Sequence, residues 1–349
     1  MDEAPSGELY VSIIVPVRNA SRTIRDLLDS LMKLEYDRER LEILVVDGRS
    51  TDGTKKIVSE YPVLLVDEEG VGLNAARNTG IRHSTGEIVA YTDSDCVVPP
   101  NWVKTIARNF RDPDISFVGG LVEGLDKADF LSVYLDETFF PVKPGFQGRQ
   151  VTTDLDLLRF PAGCNMAFRR NALEKIDFFD ERIDYGFDDL DPVEKLGSRG
   201  LRIVLDPDVR VWHRHRTTLK EILKQHFNYG RGGALMIVYK RISKLARWFT
   251  TYLIASTLTV SMLVMMLVSS YVYHSWFLFG FMMWLMALVF IFLMSLNIEP
   301  AFRTRKIHKL LLYPALDIVR GVFFTLGGLT QLIRMALGEK RTPETLKKG

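Results

Sequence analysis

Asp93-Ser94-Asp95 places two carboxylates one residue apart at the end of a strand-like run, Glu87-Ile-Val-Ala-Tyr-Thr92. Acids that follow an apolar strand sit at the carboxyl edge of a sheet, where open α/β sheets bind ligands. A hard cation such as Mg²⁺ takes one or two carboxylates and fills its other positions with phosphate oxygens and water. The pair therefore suits a divalent cation, Mg²⁺ or Mn²⁺, held against a diphosphate. Asp-x-Asp also arises often by chance, so the assignment needs context. Asp47 gives some of it, because it closes a second apolar run, Leu41-Glu-Ile-Leu-Val-Val46. Asp47-Gly48 also reads as a turn, and Asp52 serves equally as a cap for a helix starting near Thr54.

These acids need elements that bring them together. Val11-Ser-Ile-Ile-Val-Pro-Val17 is an apolar, β-branched run, and Ser21 stands where an N-cap would open an amphipathic helix over 22–34. Strand-like runs recur at 41–46, 63–66 and 87–92, with a helix-like stretch over 74–83. Strands alternating with helices predict a mostly parallel, Rossmann-like α/β sheet covered on both faces, and near-continuous apolar strands fit that burial. In a parallel sheet Asp47, Asp93 and Asp95 converge on one crevice.

Apolar residues are distributed unevenly along the 349-residue chain. From Trp248 to Ile298 there is no Asp, Glu, Lys or Arg, enough for two helices of about twenty residues each across a bilayer core. Ser269-Ser-Tyr-Val-Tyr-His-Ser275 is the expected turn between them. Lys240, Arg241, Lys244 and Arg247 precede this hairpin, Arg303, Arg305, Lys306 and Lys309 follow it, and the turn carries no Lys or Arg. The excess of basic residues places both flanks in the cytoplasm. Met1 to Glu8 is acidic and polar, without the apolar core of a signal peptide, so the N-terminal domain is expected in the cytosol. Cys96 and Cys164 fit a reducing compartment as small buried hydrophobes. The segment 310–337 is expected either as a third span or as an interfacial or re-entrant helix pair, because Asp317, Arg320, Arg334 and Gly327-Gly328 interrupt it. A net charge of +2 gives no basic field for nucleic acid.

Several segments in order now resemble the family 2 glycosyltransferases of GT-A fold. Val11 to Asn19 resembles the opening strand that ends Pro-x-x-Asn, and Val46-Asp-Gly-Arg-Ser-Thr-Asp-Gly-Thr54 the V-D-x-x-S-x-D-x-T segment. Ala76-Arg-Asn-Thr-Gly-Ile81 with Gly86-Glu87 resembles A-R-N-x-G-I…G-E, and Pro161-Ala-Gly-Cys-Asn-Met-Ala-Phe-Arg-Arg170 the glycine-asparagine loop. Phe179-Asp-Glu181 with Gly186-Phe-Asp-Asp-Leu-Asp191 resembles F-D-E…E-D-x-D.

The resemblance implies roles. Pro16, Asn19, Asp47, Arg77 and Asp93 would bind the nucleotide-sugar donor, with a uridine nucleotide favoured by frequency. Asp95 and Asp93 would hold the metal, and His213 stands where related enzymes often place a histidine near it, although a histidine among arginines fits the surface equally. Cys164 and Asn165 would line the acceptor side. Asp189, with Asp188 second, would be the base, the alternative being that the pair only caps or salt-bridges neighbours.

Two positions depart from the pattern. The usual Glu-Asp is Asp188-Asp189, and Gln225-His-Phe-Asn-Tyr229 lacks the Arg and Trp of processive synthases, so single-sugar transfer is expected. The expected organisation is a GT-A domain over 1–215, a basic amphipathic interfacial segment over 216–247, two transmembrane helices over 248–298 and a cytosolic or interfacial segment over 299–349. The expected activity is an inverting, metal-dependent transfer to a hydroxyl of a lipid-linked saccharide. The alternatives are transfer to a polyprenyl phosphate, nucleotidyl transfer, or a catalytically degenerate sugar-nucleotide-binding membrane subunit.

Overall fold

The computed structural model describes residues 9–138, 146, 148–154 and 162–338, which form two compact units. In the first unit β1 (Val11–Val17), α1 (Ile24–Leu31), β2 (Leu41–Asp47), α2 (Thr54–Val58), β3 (Leu64–Asp67), α3 (Leu73–Arg82) and β4 (Ile88–Tyr91) alternate as the periodicity predicts. The helix expected over 22–34 is shorter, because a turn closed by Thr23 N–H and Ile24 N–H on the Ala20 carbonyl precedes it. Ser21 is accordingly not its cap. Its N–H donates instead to Asp52 Oδ2 at 3.0 Å.

β5 (Cys96–Val97), α4 (Trp102–Asn109) and β6 (Ile115–Gly124) follow. The chain then gives α5 (Phe130–Glu137) to the second unit and returns for β7 (Gln150–Thr152), β8 (Met166–Arg169), α6 (Arg170–Lys175), α7 (Leu190–Ser198) and β9 (Arg202–His213). The sheet runs β3-β2-β1-β4-β8-β6-β9-β5, with β7 on β9. The half from β3 to β4 is parallel, as expected, and so is β6 with β9; β8 runs antiparallel between β4 and β6.

Register fixes the functional edge. Val17 pairs with Asp47 and Ile14 with Tyr91, so the chain leaves β1, β2 and β4 at one end. Helix α3 lies close on this sheet. A Cβ on Gly80 would stand 2.4 Å from Ile14 Cγ2, so only glycine lets the helix backbone approach β1. That approach brings Arg77 under the carboxyl edge.

The second unit holds α5, α8 (Leu219–Tyr239), α9 (Lys244–Val272), α10 (Trp276–Leu296), α11 (Ile298–Thr304) and α12 (Lys309–Ala336). Three of these, α9, α10 and α12, are long and apolar enough to cross a membrane. At 1.5 Å per residue, the 29 and 21 residues of α9 and α10 span about 43 and 31 Å. The turn between them is confined to 273–275, and Ser275 Oγ caps α10 by accepting the Leu278 N–H at 3.3 Å. The segment that could have been a helix pair is one continuous helix, α12, which carries Pro314 and both Gly327 and Gly328 inside it.

Candidate active site at the carboxyl edge

Asp47 ends β2 completely buried. Its Oδ2 accepts the Ser50 N–H at 2.9 Å and lies 3.5 Å from Lys55 Nζ, while its Oδ1 is buried without a partner. An orphaned carboxylate oxygen costs stability and marks a place where a ligand donor would be welcome. Pro16 lies beside it in β1, in register with Val46. Asn19, held at φ 54°, ties this edge to the next loop by accepting the Thr51 N–H at 2.8 Å and donating its own N–H to Ser50 Oγ at 2.8 Å. Asp52 accepts the N–H groups of Ser21 and Thr54, each at 3.0 Å. It therefore braces the start of α2 from one residue before the N-cap, which is Gly53 and not Asp52 as the cap reading had it.

Asp93 and Asp95 leave β4 together. Burial, and then the neighbouring Asp95 charge, push the Asp93 carboxyl up to about 6. A carboxyl whose proton affinity is raised by a neighbouring carboxylate is relieved by a cation between the two. The loop is pinned to β9: Cys96 pairs with His213, and Arg214 N–H donates to the Asp95 carbonyl at 2.9 Å. His213 Nε2 lies 3.3 Å from Asp95 Oδ1, and its Nδ1 shares a 3.0 Å hydrogen bond with Nδ1 of the buried His215. Burial pulls the His213 imidazole down, but Asp95 outweighs it and lifts the ring to about 9. Among the described residues no three His, Cys, Asp or Glu side chains converge as a metal cage. A cation that draws most of its ligands from phosphate and water needs only one or two carboxylates, and Asp93 with Asp95 fits that requirement.

Arg77 is 2% exposed and does not point into open space. Its Nη1 forms an ion pair with Asp188 and donates to Asn74 Oδ1 at 3.0 Å, and its guanidinium lies 5.3 Å from the Phe179 ring centroid. This pairing, 111 residues apart in sequence, is built by α3. Asn74 Nδ2 donates to the carbonyls of Asp180 and Ile183 at 3.0 and 3.2 Å, and Asn78 Nδ2 to that of Phe179 at 2.9 Å. The helix thus clips the 179–183 segment to itself and fixes where the chain enters the acid pair. Tyr185, Gly186 and Phe187 all have left-handed φ just before Asp188, a strained path of the kind stored at functional sites.

Asp189 begins α7 without a side-chain cap bond; its Oδ2 instead accepts the Gly163 N–H at 2.7 Å. Burial, and then the adjacent Asp188, push its carboxyl up to about 7, against the pull of Arg77. A carboxylate poised near neutrality is what a general base requires. Asp188 is engaged by Arg77.

Cys164 and Asn165, expected along the acceptor side, are turned inward. Asn165 is completely buried; its Nδ2 donates to the carbonyls of Leu121 and Val209 at 2.7 and 3.0 Å, and its Oδ1 accepts from Trp102 Nε1 at 2.9 Å. With its polar atoms so used, Asn165 anchors the loop from within the core. The buried Cys164 thiol is hydrogen-bonded to that of Cys96, which with burial pushes it well above its ordinary range. Pro161, quoted with this loop, lies outside the described residues.

The residue that sequence reasoning passed over is Gly163. A Cβ there would stand 2.7 Å from Arg77 Nη2 and 3.0 Å from Asp189 Oδ2. Gly163→Ala is therefore expected to part the guanidinium from the acid and lower turnover by about 10²-fold, the cost of an ångström-scale misplacement, with donor affinity little changed. A variant with wild-type turnover would show that this spacing is not used.

Residues 12–177 match the family described as glycosyl transferase family 2. Glycosyltransferase AglE of Haloferax volcanii is 28% identical over 240 residues, covering 67% of this chain and 76% of that protein. The pre-mycofactocin glycosyltransferase of Mycobacterium tuberculosis is 27% identical over 249 residues, but the match spans only 49% of its length. Among solved structures, the mannosyltransferase PcManGT from Pyrobaculum calidifontis, in complex with GDP-Man and Mn²⁺, aligns with a TM-score of 0.61 at 22% identity over 94% of this chain and 88% of its own. S. aureus TarS 1-349 in complex with UDP aligns at 0.51 and 18% identity, covering 95% and 93%. Both share the GT-A fold expected from the sequence.

Proposed function

Because residues 12–177 form a glycosyltransferase domain of family 2, we propose that this chain moves one sugar, with inversion, from a nucleotide-sugar donor to a hydroxyl of a lipid-linked saccharide. The observation that carries the reading is the convergence of Asp47, the Asp93–Asp95 pair and the Arg77–Asp188–Asp189 group around the carboxyl edge of β1, β2 and β4, with Asp189 poised near 7. Asp47, beside Asn19 and Pro16, offers its unpartnered oxygen to the nucleoside. Arg77 supplies a buried positive charge to this group. The acceptor oxygen attacks the anomeric carbon as the bond to the diphosphate breaks, and its proton passes to Asp189. Asp188 fixes Arg77 by an ion pair, and Gly163, lacking a Cβ, lets the guanidinium and Asp189 stand close together. When bound, Mg²⁺ or Mn²⁺ held by Asp93 and Asp95, with His213 alongside, supplies positive charge that stabilises the departing diphosphate.

The membrane part of the proposal rests on α9 and α10. Apart from Leu245, Ala246, Phe249 and Leu253 in the first three turns of α9, and Met282 in α10, their side chains are not buried. An exposed apolar hairpin flanked by Lys and Arg is supported as an anchor that keeps the catalytic unit at the cytosolic face, where a lipid carrier presents its saccharide.

The donor is tested with a panel that includes UDP-GlcNAc, UDP-glucose and GDP-mannose, with binding, slow hydrolysis and transfer measured separately. One donor that binds and is consumed supports the enzyme. Binding without hydrolysis or transfer for every donor would make the chain a sugar-nucleotide-binding subunit instead.

A further inference from the structure

We infer that α12 docks in the plane of the bilayer surface instead of crossing it, its outward face being a lipid-binding surface. This inference rests on the anchor reading above and adds a second, different attachment to it.

Helix α12 is an inside-out helix. Lys309, Asp317, Arg320 and Gln331 are buried and Arg334, in the last turn, is exposed, while Leu312, Val319, Val322, Leu326, Ile333 and Leu337 are exposed as well. The exposed set follows the helical repeat and forms one apolar stripe. A continuous stripe of this length is more than a water-facing surface normally tolerates, so its occupant is apolar.

The partners of the inward charges decide between spanning and lying flat. Asp317 accepts from Tyr134 Oη at 2.6 Å and from Thr138 Oγ1 at 2.7 Å, and pairs with Arg320 at 3.0 Å. Arg320 donates to Tyr134 Oη at 2.7 Å and through Nε to His226 Nε2 at 2.9 Å, while His226 Nδ1 bonds the Ile222 carbonyl at 2.8 Å. Lys309 pairs with Glu137, which also accepts from Tyr313 Oη at 2.9 Å. These partners stand on α5 and α8. Helix α5 has eight residues and ends Asp136-Glu137, and α8 carries Lys220, Glu221, Lys224 and Arg231; carrying these charges into the hydrocarbon core would be costly.

Helices α8 and α12 run side by side in the same direction. His226 meets Arg320, a Cβ on Gly230 would strike the Phe324 carbonyl at 1.8 Å, and Arg231 Nε meets Gln331 Oε1 at 3.1 Å. Where α8 must stay in the interface, α12 stays with it. The hairpin agrees. The α9 residues Tyr252 and Leu253, against Phe324 and Gly328, lie near its basic end. A third span would instead run along the hairpin and cover it. Both ends of α12 are also basic, with Arg303, Arg305 and Lys306 before it and Arg334 in its last turn. That pattern places both ends on one side and complements anionic headgroups.

The test uses the full chain in sealed vesicles containing anionic phospholipid. Single variants Tyr273→Cys, Arg305→Cys and Ala336→Cys are treated with a membrane-impermeant maleimide, with the parent chain, whose own two cysteines are buried, as background. In parallel, a fluorophore on Val319→Cys or Leu326→Cys is quenched by phospholipids spin-labelled near the headgroup or deep in the acyl chain. The expected result is that 305 and 336 react from the same side and 273 from the other, and that both fluorophores are quenched more by the shallow label. Reaction of 305 and 336 from opposite sides, or deep quenching dominant at either site, would make α12 a span and overturn the inference. Quenching by neither lipid would show the stripe open to water or covered by protein, and would also overturn it. If 273 reacts from the same side as 305, the hairpin anchor itself fails, an outcome separate from α12 alone proving transmembrane.

Discussion

Asp189→Asn is expected to lower the rate of sugar transfer by about 10²- to 10⁴-fold, the usual contribution of a general base, while leaving donor binding in place. The change is nearly isosteric, and the asparagine oxygen can still accept the Gly163 N–H that now holds Oδ2 at 2.7 Å. What is lost is the ability to take a proton. Because burial, with Asp188 beside it, raises this carboxyl to about 7, only its deprotonated form acts as base, and that form grows as pH rises. The wild-type rate should therefore climb through a limb centred near pH 7 and then level off. The variant should lack that limb. A variant that keeps both the rate and the limb would move the base elsewhere.

Asp95→Ala should have a comparable effect through the donor. Asp95 is about one-third exposed and its backbone is held by the Arg214 N–H, so its side chain can be removed without opening the core. Turnover is expected to fall on the order of 10³-fold, corresponding to about 4 kcal/mol of lost charge stabilisation at the leaving diphosphate. Mn²⁺ or Mg²⁺ should no longer tighten donor binding, as calorimetry with and without chelator would show. Undiminished activity in chelator-treated buffer would remove the metal from the account.

The parallel half of the sheet and its acids were legible because each lies in a local pattern. An apolar run followed by an acid is short-range information, and Asp47, Asp93 and Asp95 carry it. The antiparallel β8 was not, since Met166–Arg169 is too short for periodicity to show and its partners are distant in sequence. The Arg77–Asp188 pair was hidden for the same reason. Asn165 shows a different gap. Its residue type signals hydrogen bonding, but only the structure shows its donors and acceptor spent on Leu121, Val209 and Trp102. Gly163 left one faint signal, a glycine inside a quoted motif, and its meaning depends on Arg77 and Asp189 arriving from other segments. In α12 Asp317 and Arg320 read as interruptions of an apolar helix, whereas they form the inward side of one whose outward side is apolar.

The acceptor is the most direct test of the whole. The chain in liposomes is given its labelled donor with a polyprenyl phosphate and a lipid-linked saccharide side by side. A phosphate oxygen is already anionic and needs no base, whereas a sugar hydroxyl must lose a proton. The account predicts extension of the saccharide by one sugar, with inversion, strongly dependent on Asp189. Efficient transfer to the bare phosphate, unaffected by Asp189→Asn, would contradict it.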